Sequence, residues 1–145
     1  MNLGLLAASM VFGISAIGSG LGISIAGQAT VGAWKKCYIN KKAAPMTLLA
    51  FTGNPLSQTI YGLILLIYLT PAATNNPENF SIYLGLSLAA GIALAVTAVV
   101  QGKIAACAVE AIAETGKGFA QFMIVMGIAE TVALFAMVFT IISIP

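Results

Sequence analysis

The sequence has no arginine, no aspartate and no histidine, and its charge consists of six lysines and four glutamates among 145 residues. Soluble domains carry roughly 25% charged residues, whereas this chain carries 7% and is 60% hydrophobic. Because so few polar groups cannot cover a water-exposed surface, we expect a bilayer protein, and the soluble enzyme classes are largely excluded. A net charge of +2 gives no basic face for nucleic acid.

The residues that bind soft metals or nucleotides are also missing. With no histidine and only two cysteines, Cys37 and Cys107, zinc has little to bind. Both cysteines are expected near a reducing compartment and are interpreted as free thiols. The glycine-rich segment Gly18-Ser-Gly-Leu-Gly22 lacks the lysine of a phosphate-binding loop, so no nucleotide site is predicted.

What the sequence does have is long uncharged segments, each sufficient for a spanning helix of about 20 residues. They are residues 1–34, 43–77, 79–102 and 118–145. The N-terminus lacks the positive region of a signal peptide, so the first segment is expected to remain as a helix.

These segments predict an all-α membrane protein of four transmembrane helices arranged as two tandem hairpins. The first hairpin is predicted over 1–77, with helices near 3–34 and 45–70. The second is predicted over 78–145, with helices near 80–114 and 118–144. No separate soluble domain fits in this length.

The lysines predict the orientation in a cell membrane. Lys35, Lys36, Lys41 and Lys42 lie between the first two helices and Lys117 lies between the last two, whereas the middle connection has no lysine. The positive-inside rule therefore places both lysine-bearing loops in the cytoplasm and both termini outside.

Small residues indicate an internal repeat. Gly18, Gly22 and Ala26 of the first helix correspond, 80 residues on, to Ala98, Gly102 and Ala106 of the third. Small residues at every fourth position let membrane helices approach closely. The second and fourth helices align at an offset of 72, which places Gln58 over Glu130. A duplicated hairpin is the simplest explanation, although glycine and alanine are common in membrane helices.

Glu130 is the candidate functional residue, because a lone carboxylate inside a membrane helix is costly and rarely serves packing alone. It lies twelve residues past Gly118, about 18 Å into the membrane at 1.5 Å per residue. Gln58 and Gln101 each lie thirteen residues from the same membrane edge, at about 20 Å. Three helices thus contribute polar side chains at one depth.

The second helix adds a polar face at this depth. Asn54, Ser57, Gln58 and Tyr61 follow the spacing i, i+3, i+4, i+7 and share one side of the helix. Pro55 removes a backbone donor, which is expected to distort the helix and leave the Phe51 carbonyl without its helical partner. Bound cations are one way to satisfy such carbonyls.

This oxygen-only set suits a hard cation. One carboxylate among neutral ligands favours a monovalent ion, and the surplus of neutral oxygens favours Na⁺ over H⁺. Simpler interpretations stay open: Glu130 as a protonated structural acid, Gln58 and Gln101 as interhelical contacts, and Ser57 bonded back to its own helix. Lys103 is expected to face away from the site and to extend toward the cytoplasm, balanced by Glu110.

The motifs Pro55-Leu-Ser-Gln-Thr-Ile-Tyr-Gly62, Gln101-Gly-Lys103 and Ala129-Glu-Thr131, with the glycine-rich first helix, resemble the proteolipid of V-type ATPases (their K or c subunit), and in particular its bacterial sodium-translocating branch. The resemblance implies a homo-oligomeric rotor ring with the first and third helices inside. ATP hydrolysis would reside in other subunits, so the chain would not be catalytic alone. Its partners would be a stator protein with an essential arginine and a central stalk that meets the cytoplasmic loops.

The resemblance also implies a ligand set. Na⁺ would be held by Glu130, Gln101, Gln58, Ser57 and the backbone carbonyl of Asn54, and Tyr61 would hydrogen-bond the carboxylate. Ser57 replaces a threonine and Asn54 replaces an apolar residue of the close relatives. The alternatives are an H⁺-carrying rotor and a small glutamate-dependent cation or drug antiporter; a structural proteolipid is disfavoured by Glu130.

Overall fold

A computed structural model describes residues 3–145 and contains five α-helices that make four membrane-length spans. The helices are α1 (Leu3–Ile39), α2 (Leu48–Gly53), α3 (Ser57–Asn75), α4 (Phe80–Thr115) and α5 (Phe119–Ile142). No strand occurs within these residues. The predicted all-α membrane fold of two helical hairpins is confirmed. Met1 and Asn2, which entered the argument about a signal peptide, lie outside the described residues.

Helix α1 ends at Ile39, five residues beyond the predicted end. Lys35, Lys36 and Cys37 therefore lie on its last turns and not in the connection between the first two helices. The prediction ended the helix at its first charge, but lysine is a good helix former whose stem packs along apolar surface. Cys37 is buried, Cys107 is exposed, and both are free thiols.

The second predicted helix is two helices, α2 and α3, joined by a 3-10 turn at Asn54–Leu56. The cause is Pro55, which has no N–H to donate. The expectation that Phe51 would have a free carbonyl was wrong, because the N–H of Asn54 donates to the Phe51 oxygen. A tightened turn thus supplies the hydrogen bond that proline removes.

Helices α1 and α4 pack side by side in the same direction, as two parallel copies of a hairpin would. Backbone meets backbone at Gly22 and Gly102, where a Cβ built on Gly102 would lie 2.6 Å from the Cα of Gly22. Gly18 meets Ala95 in the same way. Of the small residues predicted to pack, five are buried (Gly18, Gly22, Ala26, Ala98 and Gly102) and Ala106 is half-buried. Close packing in lipid depends on such small side chains.

Tight connections fix α5 against α4. Gly116 and Gly118 both adopt positive φ, 68° and 94°, which glycine adopts without strain. At the opposite end, the Tyr83 hydroxyl donates to the Ala72 carbonyl over 3.0 Å and ties α4 to α3. Helix α4 therefore lies at the centre, in contact with α1, α2, α3 and α5. Side chains from α3, α4 and α5 can meet at mid-membrane.

Candidate ion-binding site

Glu130 of α5 faces Tyr61 of α3, and both side chains are half-buried. The Tyr61 hydroxyl donates to Oε1 of Glu130 over 2.6 Å. Hydroxyl-to-carboxylate hydrogen bonds are short and stronger than neutral ones. The contact crosses from the first hairpin to the second, so each hairpin supplies one half of it.

Gln58 and Gln101 form a second hydrogen bond between the hairpins, and a backbone carbonyl decides which of the two side chains is the donor. Nε2 of Gln101 lies 3.4 Å from the carbonyl oxygen of Met126, which can only accept. Gln101 must therefore turn its Oε1 toward Gln58, and Nε2 of Gln58 donates to it over 2.8 Å. This leaves Oε1 of Gln58 buried without a hydrogen-bond partner. The site thus contains one unpaired oxygen, and both glutamines are fully buried.

Ser57 bonds back to its own helix, as the simpler interpretation anticipated. Its hydroxyl donates to the Asn54 carbonyl over 3.0 Å. The backbone N–H of Ser57 donates to the same oxygen. A carbonyl has two lone pairs, so the Asn54 backbone oxygen is fully engaged, while the Ser57 hydroxyl keeps its own lone pairs as acceptors.

The predicted residues meet within adjacent helical turns. Gln58 and Tyr61 are one turn apart on α3. On α5, Met126, which accepts from Gln101, and Glu130, which accepts from Tyr61, are also one turn apart. Such spacing keeps side chains on one face, about 5–6 Å apart. The glutamine pair and the tyrosine–glutamate pair do not hydrogen-bond each other. The two pairs thus bring amide and carboxylate oxygens, the ligands that a hard cation prefers, to adjacent turns.

One functional group was missed from the sequence, the backbone carbonyl of Met126. It accepts from Gln101 and so orients both glutamines. Backbone carbonyls carry no sequence signal. Its position one turn before Glu130, facing the helix of Gln101, is the only feature that could have suggested it.

Glu130 supplies the negative charge of the site. Among residues 3–145, no group of three or more histidine, cysteine, aspartate or glutamate side chains could hold a metal ion.

Lys103 is exposed and lies along a shallow apolar groove between α1 and α4. In the part of the chain that the structure describes, the ion pair observed joins Lys36 to Glu114, and Lys103 forms none with Glu110. Lys103 and Glu110 are two turns apart, about 10 Å along the helix axis.

Residues 84–143 match the family model of the ATP synthase C subunit. The matched residues span most of α4 and all of α5, which is less than half of the chain. The matched segment contains Gln101, Met126 and Glu130, and so includes the carboxylate and the carbonyl that orients the glutamines. The comparison with curated proteins finds no match.

The family match and the four spans agree on a multi-pass membrane protein.

Proposed function

We propose that this chain is the Na⁺-carrying rotor subunit of a V-type ATPase. The observation that carries the proposal is the unpaired oxygen of Gln58, which is buried within the glutamine pair beside the Tyr61–Glu130 contact. An unpaired buried acceptor costs about 1–3 kcal/mol, and a cation removes this cost. A proton on Glu130 would leave the Gln58 oxygen unpaired.

The donor set fits Na⁺ as the cargo. Glu130 supplies the single charge, Gln58 and Gln101 supply neutral amide oxygens, and Ser57 supplies a hydroxyl. One carboxylate with one monovalent ion gives a site that is close to neutral, and a nearly neutral site can face lipid as a ring turns. Tyr61 holds the carboxylate in position while the ion enters and leaves.

The V-type assignment is supported by the two hairpins in one chain with a single membrane carboxylate. A ring that carries fewer ions per rotation has more of the free energy of ATP hydrolysis available for each ion. Moving one charge against 100 mV costs about 2.3 kcal/mol. This arrangement suits a pump driven by ATP hydrolysis in other subunits.

The partners follow from the same assignment. A fixed positive group on the stator, an arginine in the resembled family, would compete for Glu130 and release Na⁺. Lys35, Lys36, Lys41 and Lys42 are all exposed at one end of the molecule. We propose that this end faces the cytoplasm and meets the central stalk, with both termini outside.

Carbodiimide labelling of the detergent-solubilised ring tests the proposal. Only a protonated carboxyl group reacts, so modification of Glu130 is followed by mass spectrometry across pH and Na⁺ concentration, with K⁺ at equal ionic strength as the control. Protection by Na⁺ alone supports the sodium site. Protection that depends on pH alone makes this an H⁺ rotor. A dimer in place of a large detergent-stable ring would favour the antiporter.

A further inference from the structure

We propose that the side-chain oxygen of Asn54 is a direct ligand of the transported Na⁺, in the place that the resemblance gives to the Asn54 backbone carbonyl. The inference rests on the proposed Na⁺ function and adds to it a residue that is apolar in the close relatives. It starts from the backbone oxygen of Asn54, which already accepts from the N–H and the hydroxyl of Ser57. Both lone pairs of that oxygen are used by these hydrogen bonds, so an ion bound there would displace one of the two donors.

By helical spacing, Asn54 lies on the side of its helix that also bears Gln58. Its Nδ2 atom is buried and has no hydrogen-bond partner, although the residue as a whole is half-buried. Asn54 begins the 3-10 turn and Ser57 directly follows it, and side chains three residues apart in such a turn are nearly eclipsed. Asn54 and Ser57 therefore extend in the same direction, toward the face that also bears Gln58.

A half-turn about the terminal side-chain bond exchanges the two ends of the Asn54 amide without a change of shape. The orientation of an amide is set by its hydrogen-bond partners, and nothing in the described residues holds the nitrogen inward. After the exchange, Oδ1 of Asn54 and Oε1 of Gln58 are two acceptors one helical turn apart. Two such oxygens without a donor attract a cation.

The site then needs no change in the helix backbone. Asn54, Ser57 and Gln58 supply three neutral oxygens from α3 and the turn before it, Gln101 supplies a fourth from α4, and Glu130 supplies the charge from α5. The 3-10 turn caused by Pro55 keeps its internal hydrogen bonds when the ion binds. The 3-10 turn Asn54–Leu56 thereby contributes a side-chain ligand for Na⁺.

Two substitutions of nearly equal size separate the roles that Asn54 could have. Asn54→Leu removes both polar atoms of the side chain. Asn54→Asp places an oxygen toward the ion in either orientation of the carboxyl group. Carbodiimide labelling of Glu130 in the intact ring gives the Na⁺ concentration that protects half of the sites. We expect this concentration to rise about tenfold or more in N54L, which corresponds to about 1.4 kcal/mol, and to stay at or below the wild-type value in N54D.

The control is labelling across pH without Na⁺. Glu130 accepts its hydrogen bond from Tyr61 and not from Asn54, so the pH profile of N54L should match the wild type, which separates lost ligation from a disturbed site. If N54L does not assemble, N54D decides alone. A rise in N54D means that the nitrogen acts as a donor and overturns the proposal, as does an unchanged value in N54L. Absence of Na⁺ protection in the wild type would instead refute the Na⁺ function itself, before any variant is compared.

Discussion

The outer helices of the two hairpins differ in continuity and in charge. In the first hairpin, the span Leu48–Asn75 is broken by a 3-10 turn and carries the neutral, fully buried Gln58. In the second, α5 is continuous and carries the half-buried Glu130. A charge that must be loaded and released has to remain reachable, whereas a neutral ligand is best held rigid. Of the proposed ligands, the first hairpin therefore contributes neutral oxygens only, and the second contributes the carboxylate.

The family match falls on the second hairpin alone. It covers residues 84–143 and leaves the first hairpin outside. At an offset of 72, the first hairpin has Pro55 and Gln58 where the second has Gly127 and Glu130. The polar atoms of the first hairpin reach across to α4 and α5 and do not form a second carboxylate site.

The largest effect is expected when the second hairpin is made like the first. Glu130→Gln removes the only charge in the site. A pair of unit charges 4 Å apart interacts by about 4 kcal/mol at an effective dielectric constant of 20, so Na⁺ affinity should fall roughly a thousandfold. Uptake of radioactive Na⁺ by the reconstituted ATPase should fall to background. The matched control is Glu110→Gln, because Glu110 is exposed; equal loss in both variants would contradict a special role for Glu130.

The reciprocal exchange sharpens the comparison. In the double variant Gln58→Glu with Glu130→Gln, the charge moves to a fully buried position that contacts Gln101 and not Tyr61. We expect no recovery of Na⁺ uptake over Glu130→Gln alone. Recovery to a tenth of wild-type uptake or more would show that the two hairpins are interchangeable as charge carriers.

The glycine seam, the close contact of α1 with α4 at Gly22 and Gly102, joins the two hairpins. A substitution there should have nearly as large an effect. Gly102→Ala adds a Cβ that would lie 2.6 Å from the Cα of Gly22, and a backbone cannot rotate away as a side chain does. We expect a loss of about 3 kcal/mol in stability, measured as a lower midpoint temperature of ring dissociation in detergent. Gly20→Ala, on α1 with nothing within 4 Å of the added atom, is the control. A similar midpoint for both variants would mean that α1 and α4 do not pack at Gly102.

A smaller effect is expected at the hydrogen bond that crosses between the hairpins. Tyr61→Phe removes the donor to Glu130, and hydrogen bonds to charged groups contribute about 1.5–3 kcal/mol. The half-protecting Na⁺ concentration in the labelling experiment should rise about tenfold or more. Tyr68→Phe, exposed on the same helix, should leave it unchanged. If Tyr61→Phe also leaves it unchanged, Tyr61 is a packing residue only.

The smallest effect is expected at the membrane edge. Lys36 and Glu114 form a cross-hairpin ion pair of 3.6 Å, but their side chains are 60% and 66% exposed. Exposed pairs of this kind contribute about 0.5 kcal/mol or less. Lys36→Met should therefore leave the dissociation midpoint of the ring within error of the wild type at about 0.15 M salt, the physiological ionic strength. A clear fall would show that this pair, and not the glycine seam, holds the hairpins together.

Much of the site could be predicted because it depends on depth and periodicity. A carboxylate is so costly in lipid that Glu130 stands out from sequence alone. Counting residues from the loops placed Gln58 and Gln101 at its level, and helical spacing placed Tyr61 on the correct face. The helix ends were less predictable, since α1 continues through two lysines, which are good helix formers.

The sequence by itself determined the membrane environment, the four spans and the identity of the charged residue, because each follows from how often and where polar groups interrupt apolar segments. The tertiary structure alone decided how the polar groups are paired. It directed the Met126 carbonyl to Gln101, engaged the Asn54 carbonyl twice and left the oxygen of Gln58 unpaired. Hydrogen bonds depend on direction and on backbone atoms that every residue shares, so no pattern of side chains along the chain specifies them.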